Sequence, residues 1–364
     1  MTQIVRKSDW SVLAAGLMLL AGLAVNSQAS AQEGHQHHGM GVPEMDESGR
    51  RLDSYDVKHE MTPEQLAAMR EKVALYRALT DREAQLNMAL MGPNYEWYVS
   101  DRDLKGDVGV IVLAHGVGEN SDKLFVDKLK PMAERWPTAV SFGMAMMMSS
   151  HLQSTVDDLT ERGAETIVLV PTAVSTHNSL TRQWEYTFNM RDDSSYLDVP
   201  RVQTDAQVLM AAHMDDHPLI TDVLIDYTNE VSKNPANEVV ILVAHGPEDV
   251  EDNIPDLEVL QVHADRIKEA GKFSDVKAIN LQDDAYPPIR KSNVTKLRRW
   301  ITSAQRAGKD VIVTVYSTAS FGVQEHIKDD LRGLDYAFAE KGVAEHPNYQ
   351  QWIAATVEER LAKN

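Results

Sequence analysis

The chain contains no cysteine. Disulfides are excluded in any redox compartment, and a metal site would have to use imidazole, carboxylate, thioether or main-chain oxygen. Positive charge is the second scarcity: 36 Lys and Arg stand against 55 Asp and Glu, a formal net charge of −19. No basic cluster interleaved with aromatics offsets it, so phosphate backbones are repelled and nucleic acid is excluded as a partner. Catalytic signatures are missing too. His115-Gly116-Val117-Gly118 matches the oxyanion loop of α/β-hydrolases, but the chain has no Gly-x-Ser-x-Gly elbow to supply its nucleophile. Neither Gly-x-Gly-x-x-Gly nor a Walker loop occurs, so no nucleotide cofactor is indicated.

Long apolar runs are absent after the first residues. Arg6 and Lys7 precede an apolar stretch at 12–25, and Ala29-Ser30-Ala31 supplies a small-x-small cleavage pattern. The stretch falls short of the ~20 residues of a spanning helix. Residues 1–31 therefore read as a signal peptide cleaved after Ala31, implying secretion, to the periplasm, without stable membrane insertion afterwards. Residues 32–60 read as a flexible leader. Its tract Gly34-His35-Gln36-His37-His38-Gly39-Met40 sets His35, His37 and His38 among glycines, which lets the chain wrap a divalent ion, although a solvated tail has the same composition.

The remainder, in a chain that is 43% apolar, can bury one large core or two moderate ones. Thr62-Pro63-Glu64-Gln65 carries the signature of a capped helix start, with Leu66, Met69, Val73 and Tyr76 on one face. A second short helix is expected at 81–90. From there strands alternate with helices: strands at 108–113, 139–146 and 166–170 enclose helices at 121–136 and 152–162. A second round repeats the order, with helix 218–231, strand 238–243, helix 256–270, strand 276–281, helix 294–307 and strand 311–316. A loop rich in Asp and Pro is inserted at 282–292. One tripeptide marks the repeat: Ala114-His115-Gly116 and Ala244-His245-Gly246 each close an apolar, β-branched run. Such a run reads as a buried parallel strand delivering an imidazole to its C-terminal end, where open α/β sheets bind ligands. The expected fold is α/β, with two similar doubly wound parallel-sheet units, 61–205 and 206–364, facing a common cleft.

His177 lies just beyond the strand ending at Val170-Pro171, so it should share its sheet edge with His115. Two imidazoles there can bind a metal or accept protons near neutral pH; a lone histidine more often just bonds a loop carbonyl. The span from Val108 to Glu185, with its Ala114-His115-Gly116 strand end, Arg162-Gly163-Ala164 and the loop carrying His177, resembles the small class II chelatases of sirohydrochlorin cobaltochelatase type. Asp216-His217-Pro218-Leu219 and Val243-Ala244-His245-Gly246 resemble the second unit of two-unit members. The resemblance implies a lyase that handles a divalent ion (Co²⁺, Fe²⁺ or Ni²⁺) and inserts it into a sirohydrochlorin- or porphyrin-like tetrapyrrole, with His115 and His177 as metal ligands and proton acceptors. Its usual carboxylate falls within Met144-Ala145-Met146-Met147-Met148, at Met146. Gly322 stands where His177 would repeat, with His326 four residues on.

The methionines have two readings. Met146 and Met147, with His245, are candidates to touch a cofactor, haem included, because thioethers ligate soft metals or cushion a ring; Met at a buried strand end also simply fills the core. The alternative from another class is a non-catalytic periplasmic carrier of haem, tetrapyrrole or metal on the same fold, and either reading is compatible with a homo-oligomer. If the leader loads metal, deleting 34–40 lowers metal uptake at limiting concentration while leaving fold and macrocycle affinity unchanged; equal occupancy with and without it reduces the tract to a solvated tail.

Overall fold

Val108–Ala114 sends alternate side chains to opposite faces, and both faces are covered: Val110 and Val112 enter one core, Ile111 and Leu113 another. Glu238–Ala244 does the same, with Val240 and Leu242 on one side and Val239, Ile241 and Val243 on the other. This two-sided burial is why both runs are almost wholly apolar.

The computed structural model describes residues 44–51, 60–116, 118–320 and 322–364. The expected signal peptide and the metal-collecting His35, His37 and His38 lie outside the described residues. Three short helices come first: α1 (Pro63–Lys72), α2 (Ala74–Ala78) and α3 (Asp81–Ala89). The first unit continues β1 (Tyr95–Tyr98), β2 (Val108–Ala114), α4 (Glu119–Ala133), β3 (Thr138–Phe142), α5 (Ser150–Glu161), β4 (Thr166–Pro171), α6 (Ser179–Thr187), β5 (Gln207–Met210) and α7 (Pro218–Val231). The second runs β6 (Glu238–Ala244), α8 (Val250–Gly271), β7 (Asp275–Asn280), α9 (Pro287–Arg306), β8 (Asp310–Tyr316), α10 (Val323–Asp330), β9 (Ala337–Ala339) and α11 (Pro347–Ala362). The sheet orders are β1-β3-β2-β4-β5 and β7-β6-β8-β9. Apart from the edge strand β1, which runs antiparallel to β3, all pairings are parallel. The fold is therefore the expected pair of α/β units with helices on both faces, except that the first sheet runs past 205, because β5 pairs with β4.

The repeat extends past the segments that announce it. Each unit's last helix starts at a histidine N-cap followed by proline: His217 Nδ1 accepts from Leu219 N at 3.2 Å, and His346 Nδ1 from Asn348 N at 3.1 Å. These helices are exchanged. α7, following the first sheet, packs on β8 and β9 of the second, while α11 packs on β4 of the first, and the two helices pack on each other. Ile220, Val223 and Leu224 of α7 join Trp352, Ile353 and Val357 of α11 in one core shared with both sheets.

Several boundaries differ from the sequence reading. The face Leu66, Met69, Val73 and Tyr76 is buried, but the helix breaks at Val73, whose backbone is extended (φ −112°, ψ 117°). The strand expected at 139–146 ends at Phe142, because Gly143 turns away at φ +123° and packs so tightly that a Cβ would lie 2.1 Å from Asn94 Oδ1. The inserted loop is shorter than 282–292, since Pro287 and Pro288 start α9.

Among described residues no helix is long and apolar enough to cross a membrane. Trp352 is fully buried where both sheets and both exchanged helices meet. Trp352→Ala should cost about 3–5 kcal/mol of stability. Both units should still unfold in one urea transition, seen alike by fluorescence and circular dichroism; separate transitions would show that the exchange does not couple them.

Candidate functional site

The two His-Gly turns share one local design. Gly116 and Gly246 take φ values of +81° and +73°, a left-handed turn open to glycine at little cost, and each carbonyl comes back onto its own histidine. His115 Nδ1 lies 2.6 Å from Gly116 O, and His245 Nδ1 lies 2.7 Å from Gly246 O. A carbonyl only accepts, so Nδ1 carries the proton in both rings, and the neutral imidazole offers its Nε2 lone pair to a metal or an incoming proton.

The loops at these sheet ends meet across the units. The Ser179 hydroxyl donates to Glu248 Oε1, Arg182 pairs with Asp252 at 2.7 Å, and the Thr318 hydroxyl donates to Thr172 O at 2.8 Å. Tyr316, at the end of β8, donates to Val174 O at 2.9 Å in the loop after β4. Both C-terminal edges thus border one seam.

At the first edge His115 is exposed and His177 half-buried, with its backbone N–H donating to Ser175 Oγ at 3.0 Å. His177 lies in the electrostatic range of Asp256 and His213. No hydrogen bond or ion pair among described residues joins His115 to His177. Met146 is 4% exposed and packs with Met69, Tyr76, Met88, Tyr196 and Leu197; the half-buried Met147 packs against the same cluster.

The second edge carries more chemistry. His245 Nε2 lies 3.4 Å from Asp284 Oδ2, and His326 Nδ1 lies 3.6 Å from Asp283 Oδ2. Arg290 holds the other oxygen of Asp283 at 2.8 Å. Burial opposes the charge on His245, but Asp284, Asp283 and the Gly246 carbonyl outweigh it and raise its pKa above the ordinary 6.5. The Asp283 carboxylate beside it raises His326 likewise. Burial also opposes the charge on Asp283, yet His326, His245 and Arg290 hold its carboxyl below the usual range. Glu248, three residues past His245, is pushed up by burial to about 7, so it can take and release a proton near neutrality. Glu248 and Asp284 add to the burial that raises the phenols of Tyr76 and Tyr196 in the helical layer beside the seam.

Register explains the asymmetry. Ala114 pairs with Phe142 and Ala244 with Asn280, so four residues beyond those partners Met146 in the first unit stands where Asp284 stands in the second. His326 reaches the edge because Gly322 is the N-cap of α10, and four residues on, one helical turn, brings the imidazole to Asp283. Sequence reasoning had Asp283 and Asp284 only as part of a loop and did not single out Glu248; counting from the strand register is the signal that finds the aspartates.

Other histidines are structural. His263 donates from Nε2 to Asp215 O at 2.6 Å and accepts from Thr221 Oγ1 at Nδ1, and burial lowers its pKa to about 4, as it does for His213. Among described residues no three His, Asp or Glu side chains already surround a common metal position.

No protein-family model and no curated protein matches the chain. Among solved structures, SirB from Bacillus subtilis with Fe³⁺ matches over 70% of this chain and 96% of its own, at 13% identity and a TM-score of 0.52. The sirohydrochlorin chelatase SirB from Bacillus subtilis subspecies spizizenii, in complex with cobalt, matches over 70% and 95% at 10% identity and a TM-score of 0.47. A multi-domain protein from Deinococcus radiodurans with structural similarity to chelatases matches over 69% and 55% at 17% identity and a TM-score of 0.43. With its two facing α/β units and their His-Gly strand ends, the chain has a class II chelatase-like fold.

Proposed function

We propose that this protein handles a divalent metal ion and a tetrapyrrole in the manner of a chelatase. The observation that carries the reading is the repeated strand end at which a glycine carbonyl holds Nδ1 of His115 and His245, leaving Nε2 as the donor, beside Asp284 in His245, on the fold of an iron-bound SirB. Metallation of a ring needs a group that takes pyrrole protons and donors that hold the ion loosely enough to release it. Glu248 and His245, with raised proton affinity, suit the first task. For the second, the donors come in pairs, His245 with Asp284 and His326 with Asp283. A pair grips an ion less firmly than the closed four-ligand set of a structural site, and ring nitrogens can complete the sphere. His115 and His177 add imidazoles from the first edge, and the signal-peptide reading of residues 1–31 supports an activity outside the cytoplasm.

Turnover separates this reading from the carrier alternative. Purified protein given Co²⁺, Fe²⁺ or Ni²⁺ with sirohydrochlorin or a porphyrin should accelerate the spectral change of metallation; binding without acceleration identifies a carrier. If His115 and His177 share an ion, His115→Ala and His177→Ala should each remove most of its affinity and the double variant little more. Wild-type metal binding by both single variants would leave them as loop residues.

Protons compete with metal for imidazole, so affinity at the second edge should fall with decreasing pH while His245 protonates, at a midpoint above 6.5. Asp284→Asn removes the largest influence raising that pKa, and the NMR titration midpoint of His245 should move to lower pH. An unchanged midpoint would mean that the pair does not form in solution.

A further inference from the structure

The second edge combines three features that select among rings. First, its charge is negative: Asp283, Asp284, Glu248 and Asp249 gather around His245, with Asp252 and Asp330 beside them, and these acids outnumber the arginines that pair with them. Arg290 pairs with Asp283 and Asp330, Arg182 with Asp252 and, at 3.9 Å, with Asp249, and Arg77 donates to the main-chain oxygens of Arg70 and Glu71. Second, the Asp283 side chain is only 4% exposed, yet its Oδ2, on the side of His326, has no hydrogen-bond donor. Third, large apolar side chains stand in the open immediately beyond the acids. Val250 and Ile254, one turn apart on α8, are 50% and 63% exposed, and Tyr286, two residues past Asp284, is 48% exposed. The first unit repeats the device: Leu124 follows His115 at the spacing at which Ile254 follows His245, and it is 60% exposed.

From these we infer that the second edge selects a tetrapyrrole of few carboxylates, a dicarboxylate porphyrin, against many-carboxylate rings of the sirohydrochlorin type. The inference rests on the tetrapyrrole reading above. A planar ring with an apolar face gains by covering Val250, Ile254 and Tyr286. Each additional peripheral carboxylate would be brought beside like charges, with Arg182 and Arg290 already paired to carboxylates of the edge. Two carboxylates can point to water while the ring face stays on the apolar patch; a ring that carries them around its whole rim cannot turn all of them away.

The test compares metal-free protoporphyrin with uroporphyrin, a stable many-carboxylate ring, by absorbance and fluorescence titration of the full-length mature protein. At about 0.02 M salt protoporphyrin should bind at least about tenfold more tightly, and the gap should narrow near 0.5 M as screening weakens the repulsion. Glu251→Lys, an exposed position on the first turn of α8 outside the site, should strengthen uroporphyrin binding selectively. Ile254→Ser should weaken protoporphyrin severalfold without altering the circular dichroism spectrum. Equal or tighter binding of uroporphyrin at low salt would overturn the inference while leaving the tetrapyrrole reading standing. Failure of both rings to bind folded protein would overturn both. A change in sedimentation coefficient for Ile254→Ser, with ring affinity unchanged, would assign the patch to contact between copies and equally overturn the inference.

Discussion

The packing of α7 against α11 is the contact on which the rest depends. Each helix belongs by chain order to one unit and by packing to the other's sheet, so neither unit completes its inner face alone. Burial of apolar surface is non-directional and would be satisfied by many relative placements of two sheets. Exchange removes that freedom, because each helix must lie on the opposite sheet while its N-terminus remains tied to its own. The histidine caps at His217 and His346, each followed by a proline at the first turn, begin the two helices in the same way. The consequence for chemistry is placement: strand ends built from sequence-distant segments border one seam, held there by Ser179 with Glu248 and Arg182 with Asp252.

Within that frame the His-Gly turn does its work locally. Its glycine is needed for a positive φ, and in the second unit also for space, since a Cβ on Gly246 would sit 2.5 Å from Asn280 Cβ. The same backbone excursion orients the carbonyl that fixes the imidazole tautomer. Fold and reactivity are thus set by one residue pair, used twice. What differs between the copies is the strand beside it: hydrophobic packing claims Met146 for the cluster under α1–α3, whereas the corresponding place in the other unit carries Asp284.

That contrast shows what the sequence could and could not disclose. The five strands in the middle of the sheets, β2, β3, β4, β6 and β8, were legible because each is a largely apolar run buried on both faces, and the edge strand β7 because Val276, Ala278 and Ile279 are apolar and buried. β5 and β9 were not, because four and three residues give no periodicity and only pairing to β4 and β8 makes them strands. β1 is an aromatic run whose antiparallel pairing to β3 depends on the chain turning back after α3. The role of His115 and His245 as strand-end imidazoles followed from the tripeptide itself. His326 was visible only as a residue out of register with His177; its approach to Asp283 required the start of α10, which a single glycine does not reveal. The helix exchange left no local trace, since α7 and α11 would be amphipathic or apolar whichever sheet they covered.

The asymmetry also orders the two edges chemically. An imidazole beside carboxylates binds protons more firmly, and the same carboxylates attract a divalent ion, so proton and metal compete for one pair of groups at the second edge. A metal cation held at His245 would displace its proton, and Glu248, raised to about 7, could take one from a neighbouring donor. Such an edge is at its most responsive near neutral pH, where small changes in local charge shift both equilibria. The first edge has a buried thioether at the corresponding place and so lacks that coupling. Two copies of one turn, set in a shared frame, therefore end in one edge where His245 stands beside Asp284 and another where the corresponding place is the buried thioether of Met146, so that only the acidic edge could tie proton exchange to the binding of a cation.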